Sequence, residues 1–203
     1  CRHCSHETLG LLIGDACGKG IPASLIMAVV TSLFREKIAH VNDPAQLLTE
    51  VNLTVKDYLG AETRFNSSAF VGFFNPGRRT LTYANAGHDY PLFYQASSDQ
   101  IIPLESTGTL LGLFRESTFL TRTIELHPGD RLLFYTDGLT DFFEQNEKVA
   151  DGYQALIRFY RDHLKLSPAD FTAEVKRLVE SRPGENCDDI TALLVEVEDS
   201  ATT

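Results

Sequence analysis

Residues 67–87 read SSAFVGFFNPGRRTLTYANAG. Two short runs rich in aromatic and β-branched residues flank the turn-forming tripeptide Asn75-Pro76-Gly77, a pattern that predicts an antiparallel hairpin. Runs of the same kind follow: YPLFYQA at 90–96, FLTRTIEL at 119–126 and DRLLFYT at 130–136, the last two separated by His127-Pro128-Gly129. From about residue 66 to 136 the chain is therefore predicted to be mostly antiparallel β.

Outward from this block the periodicity changes. Towards the N-terminus, TLGLLIG (8–14) is apolar and too short for a helix, consistent with a buried strand. IPASLIMAVVTSLFREKIAH (21–40) reads as a helix with Pro22 at an early position, and its first half is apolar nearly all round, so it is expected to be buried between layers. A second helix is expected over NDPAQLLTEVNLTVKDYLG (42–60), with Asp43 as cap, Pro44 in the first turn and Gly60 at its end. Towards the C-terminus, YQALIRFYRDHLK (153–165) and SPADFTAEVKRLVESR (167–182), the latter capped by Ser167, read as helices, and ITALLVEVE (190–198) reads as a closing strand. Helices grouped on either side of a run of strands favour an α+β layered architecture over an alternating, doubly wound one.

The chain has 203 residues, 43% hydrophobic and 23% charged, enough for one domain with a substantial core. Eighteen basic against 28 acidic residues give a formal charge of −10, which opposes sequence-independent binding to nucleic acid or to an anionic membrane. Four cysteines, Cys1, Cys4, Cys17 and Cys187, do not form the dense framework of a small secreted domain. With no apolar stretch long enough to span a bilayer and no signal peptide, a cytoplasmic setting is expected. Cys1 stands where an initiator Met would, which points to an N-terminally truncated fragment of a longer regulator, with 1–203 as a single domain.

LLIGDACGKG (11–20) invites two readings. A phosphate-binding loop needs four residues between its first two glycines and a hydroxyl after its lysine; here three residues separate Gly14 from Gly18, and Gly20 follows Lys19. Both departures strike features that such a loop uses. The second reading starts from Asp15, which ends an apolar run as Asp137 does in DRLLFYTDG, while Asp188 and Asp189 open CDDITALLVEV. Each aspartate singly is a plausible turn former. Together they place carboxylates at the ends of three strands, the oxygen donors that hard divalent cations prefer. A cluster of softer donors, Cys1, Cys4 and His3 or His6, has no second Cys/His pair downstream to complete a structural zinc site.

LIGDACGKGIPASLIMA, LTYANAGHDYPL, LLGLF, HPGDRLLFYTDGLTD and DDITALLVEV, in that order, resemble the metal-dependent Ser/Thr protein phosphatase superfamily (PPM/PP2C-like), in its bacterial sporulation-stage-II-E and sigma-factor-regulator branch. The resemblance spans about residues 8 to 197. It implies a four-layer α-β-β-α sandwich, two mostly antiparallel sheets flanked by helices, and a centre of two Mn²⁺ or Mg²⁺ ions. It also implies hydrolysis of phosphoserine or phosphothreonine on a partner protein, such as an anti-sigma-factor antagonist, by a metal-activated water. Carried across, Asp15 would bridge the two metals, the Ala16 carbonyl would add a ligand, and Asp137 and Asp188 would bind one ion, with Asp189 beside them. Gly18 and Gly20 would turn the chain into the following helix. An upstream regulatory or sensor domain is expected.

The family's first metal-binding acid, in a GGDFYD-like strand end, has no counterpart in CRHCSHE. A catalytically impaired phosphatase-fold module that binds a signalling partner is therefore the alternative reading. In NAGH, His88 can brace the turn by a hydrogen bond, or protonate a leaving alkoxide. Lys19 can attract a phosphate or be solvated, and Asp141 can reach a third metal through water or be a solvated carboxylate. Cys17 and Cys187 flank Asp15 and Asp188, as a redox-sensitive pair or as two small buried side chains. The exposed part of the 22–40 helix is a candidate regulatory or homodimer surface, although core packing explains its pattern equally well.

Overall fold

In the computed structural model, which describes residues 2–5, 8–18, 20–59, 66–147, 151–181 and 188–199, the chain begins with strands β1 (Arg2–Ser5) and β2 (Thr8–Ile13). Helices α1 (Ile21–Lys37) and α2 (Pro44–Leu59) follow. Next come β3 (Ala69–Asn75), β4 (Thr80–Ala86), β5 (Leu92–Gln95), β6 (Gln100–Pro103), β7 (Arg122–Glu125) and β8 (Arg131–Tyr135). Helices α3 (Asp137–Glu147), α4 (Gly152–Asp162) and α5 (Pro168–Ser181) precede β9 (Ala192–Glu196). The chain divides into two compact units, one of Cys1–His88 with Glu105–Leu126, the other of Asp89–Leu104 with His127–Thr203.

The first unit is built on the expected hairpin. β3 and β4 pair antiparallel from Asn75 opposite Thr80 to Ala69 opposite Ala86. The Asn75 side chain closes the turn by accepting the Arg78 N–H at 2.8 Å. Antiparallel pairing extends the sheet to the order β1-β2-β3-β4-β7. Side chains alternate across the pleat. Ala69, Val71 and Phe73 accordingly face Val30 and Phe34 of α1 and Leu47, Leu48, Val51 and Val55 of α2 in one buried cluster. Phe70, from the other face, is also fully buried and stacks on Tyr83 with ring centroids 5.2 Å apart. Full burial of such a side chain contributes about 1.5–3 kcal/mol.

α2 begins as its sequence predicts, with the Asp43 carboxylate accepting the Ala45 N–H at 3.1 Å; Gly60 lies outside the described residues. α1 departs from expectation. Pro22 does occupy its first turn, but in the first half Ile21, Ser24, Ala28 and Val29 are exposed, Ile21 at 77%. Among the described side chains, Val30, Phe34 and Ile38 are buried and Ala23, Met27 and Leu33 pack against them in part, so one side of the helix is covered and the other is not.

The second unit carries the sheet β6-β5-β8-β9, again antiparallel throughout. All five residues of β8 are buried. Leu133 and Tyr135, with Leu92 and Leu194, pack against Leu139, Phe142 and Phe143 of α3, Leu156 and Tyr160 of α4, and Phe171 and Val175 of α5. Asp151 caps α4 by accepting the Gln154 N–H at 3.1 Å, and Ser167 caps α5 by accepting the Asp170 N–H at 3.1 Å. β1, β6 and α3 are elements that the sequence reading does not contain. No helix among the described residues is long and apolar enough to cross a membrane.

Candidate active site

The sequence candidates fall in both units: Asp15 and Ala16 in the first, Asp137, Asp188 and Asp189 in the second. In the first, β2 runs out at Ile13, and Gly14 brings the chain against Ser68 so closely that a Cβ at residue 14 would stand 2.4 Å from the Ser68 carbonyl oxygen. Only glycine permits that approach. The Asp15 N–H then donates to Ser68 O at 3.3 Å and to Ser68 Oγ at 3.1 Å, while Ser68 N–H donates to Asp15 O at 2.8 Å. Cys17 N–H donates to Asn66 O at 3.1 Å.

These bonds flank an antiparallel bridge between Ala16 and Ser67, in which the central residue's own N–H and C=O point away from the facing segment. The Ala16 carbonyl is thus directed away from residues 66–68, as a ligand carbonyl must be. Asp15 itself is exposed. A phosphate loop is excluded by the same pattern, because the amides of Asp15 and Cys17 are turned towards Ser68 and Asn66 and do not converge on an anion. Positive φ values of 118° at Gly18 and 80° at Gly20 make the turn into α1 as expected. Lys19 lies outside the described residues.

In the second unit Thr136 joins β8 to the segment before β9. Its N–H donates to Thr191 O at 3.1 Å, its hydroxyl donates to Asp189 O at 3.0 Å, and it accepts the Thr191 N–H at 3.0 Å. Asp137 therefore stands beside Asp188 and Asp189, but as the first residue of α3 and not as the end of a strand. β8 stops at Tyr135, and the positive end of the helix dipole favours a carboxylate at this position. A Cβ on Gly138 would lie 2.9 Å from the Asp188 carbonyl oxygen and 2.6 Å from that of Asp189.

Asp137, Asp188 and Asp189 are all exposed, and Asp188 Oδ1 accepts the Asp189 N–H at 2.9 Å. One helical turn after Asp137, burial holds the Asp141 carboxyl above the usual carboxylate range, and the like charges of Asp137, Glu144 and Asp188 add to the shift. Asp137, Asp141 and Asp188 thus share one acidic neighbourhood. Among the described residues, no three His, Cys, Asp or Glu side chains are already arranged as a metal-ligand group.

His88 is buried, as is Asn85, whose side chain braces the turn by accepting the His88 N–H at 2.8 Å and donating to the His88 carbonyl at 3.0 Å. The His88 ring reaches Ser68, with Nδ1 2.9 Å from Oγ. Cys17 is exposed, which corrects the reading of it as a small buried side chain; Cys187 lies outside the described residues. So does the Cys1, His3, Cys4 and His6 cluster, apart from the backbone of β1. Sequence reasoning did not single out Ser68, Thr136 or Gly138. The only signal for Gly138 was its place directly after a strand-end aspartate.

Residues 5–198 match the family described as Stage II sporulation protein E (SpoIIE), and the chain belongs to that family. Phosphoserine phosphatase RsbU of Bacillus subtilis is 27% identical over 140 residues, covering 69% of this chain and 41% of its own length. Protein IcfG of Synechocystis is 32% identical over 161 residues, covering 66% of this chain and 25% of its own. The chain thus spans less than half the length of these relatives. Among solved structures, the RsbU and RsbW domains of Rv1364c from Mycobacterium tuberculosis superpose with a TM-score of 0.75 at 25% identity, over 95% of this chain and 53% of theirs. RsbX in complex with magnesium superposes with a TM-score of 0.68 at 21% identity, over 94% of this chain and 81% of its own. The two antiparallel sheets and five helices among the described residues share the fold of these neighbours, as the sequence led one to expect.

Proposed function

We propose that residues 1–203 form a single catalytic domain that hydrolyses phosphoserine or phosphothreonine on a partner protein, of the anti-sigma-factor-antagonist kind, in the cytoplasm. Its site uses two Mn²⁺ or Mg²⁺ ions, held by Asp15 and the Ala16 carbonyl together with Asp137 and Asp188, Asp189 being the weaker candidate. Membership of the SpoIIE family and similarity to RsbU, itself a phosphoserine phosphatase, support the reading.

The observation that carries it is the close approach at Gly138, which sets Asp137 beside Asp188 with Asp141 in the same acidic neighbourhood. Exposed, like-charged oxygen donors fit a hard divalent cation. Such ions supply Lewis acidity towards a phosphoryl group and make water more acidic. This chain's own part is to bind and orient. Thr136 ties the Asp189–Thr191 segment to the end of β8, and Gly14 seats the Asp15 backbone on Ser68. The exposed carboxylates of Asp15, Asp137 and Asp188 favour turnover over the partner-binding alternative.

The test is hydrolysis of p-nitrophenyl phosphate by the purified chain with Mn²⁺ added or chelated. Turnover that requires Mn²⁺ and disappears in Asp137→Ala supports the assignment. Turnover indifferent to both overturns it.

A further inference from the structure

Ser68 stands between Asp15 and His88. Its Oγ is 3.1 Å from the Asp15 N and 2.9 Å from His88 Nδ1. The other bond from the Asp15 N–H, to Ser68 O, is 3.3 Å long, beyond the usual 2.9–3.0 Å, so the hydroxyl is the nearer partner. A serine hydroxyl has two acceptor lone pairs and one hydrogen, so Oγ takes the Asp15 N–H and still shares a hydrogen bond with Nδ1, in the direction the imidazole tautomer sets.

The ring that receives this bond has little freedom. His88 is 2% exposed and Asn85 0%, and Asn85 binds both the N–H and the C=O of His88. Asn85 is fixed in turn, its N–H donating to Thr107 Oγ1 at 2.9 Å and its carbonyl accepting the Thr107 N–H at 2.9 Å. Burying an imidazole costs more than burying an aliphatic side chain of similar size, so packing alone does not account for a histidine here. What the ring adds is a directed hydrogen-bond partner for Ser68, the residue that grips the backbone of the exposed Asp15.

We propose that Ser68 and His88 are positioning residues, which hold the Asp15 main chain so that the Asp15 carboxylate and the Ala16 carbonyl are presented to a divalent cation. The proposal rests on the assignment of Asp15 as a metal-binding residue. Groups that orient metal ligands in this indirect way are worth about 10–100-fold in metal affinity.

Two measurements on the full 203-residue chain test it: hydrogen exchange of the Asp15 amide in metal-free protein, and Mn²⁺ affinity by titration calorimetry. Ser68→Ala and His88→Phe are expected to speed exchange at Asp15 and to weaken Mn²⁺ binding about 10–100-fold. His88→Asn keeps a hydrogen-bonding group, donor or acceptor, close to the place of Nδ1 and is expected to restore most of both. Wild-type exchange and affinity in Ser68→Ala and His88→Phe, with weakened binding in Asp15→Asn, would overturn the positioning role and leave the metal assignment standing. Unchanged affinity in Asp15→Asn would instead overturn the metal assignment. Equal losses in His88→Phe and His88→Asn, tracking a lowered melting temperature, would reduce His88 to a packing residue and overturn its part.

Discussion

Gly138 lies so close to Asp189 that a single added carbon on it would stand 2.6 Å from the Asp189 carbonyl oxygen. The obstacle is backbone, which cannot rotate aside as a side chain can. In Gly138→Ala the Asp188–Asp189 segment must therefore move, at a cost of about 1–3 kcal/mol. Because Asp188 is carried on that segment, Mn²⁺ affinity should fall along with the melting temperature. Calorimetry of the variant checks both, and an unaltered Mn²⁺ isotherm would show that the approach does not serve the carboxylates.

Asn85 binds the backbone of His88 at both its N–H and its C=O. In Asn85→Ala these buried groups lose that partner, which costs about 1–3 kcal/mol for each group left unsatisfied. Urea unfolding should show the midpoint displaced with the slope unchanged.

A similar clamp holds the loop after residue 111. The Asn52 side chain, fully buried in α2, accepts the Gly112 N–H at 2.8 Å and donates to the carbonyls of Phe114 at 3.0 Å and Arg115 at 3.2 Å. Phe114 itself is 62% exposed. Asn52→Ala should cost about 1–3 kcal/mol. Limited chymotrypsin digestion should then cut after Phe114 faster than in wild type.

The hairpin of β3 and β4 and the buried strand β8 were legible because aromatic and β-branched residues concentrate there between strong turn signals. β6 was not: Gln100–Pro103 is four residues at the edge of its sheet, with no alternation to read. β1 is polar, and its pairing with β2 is the only thing that makes it a strand. α3 opens on Asp137-Gly138, which reads as a turn, although Leu139, Phe142 and Phe143 do have helical spacing. α1 shows the opposite limit, since composition does not say which side of an apolar helix will be covered.

The candidate site divides along the same line. Asp15, Asp137 and Asp188 were legible because a carboxylate beside an apolar run is conspicuous. Ser68 carries no such signature. Only the register that sets the Ala16–Ser67 bridge brings it to Asp15, 53 positions away. Ala16, for its part, was suggested by family resemblance alone, and the bridge supplies the physical reason its carbonyl is directed away from residues 66–68.

Asp15, Asp137 and Asp188 are proposed to hold divalent cations for hydrolysis of a phosphorylated side chain. The most direct test is phosphate release from a phosphoserine-bearing protein by wild type and by Asp15→Asn, Asp137→Asn and Asp188→Asn, each with saturating Mn²⁺ and with chelator. Release that depends on Mn²⁺ and falls by about 100-fold or more in each variant is the predicted result. Wild-type release by the three folded variants, or release unaffected by the chelator, would contradict it.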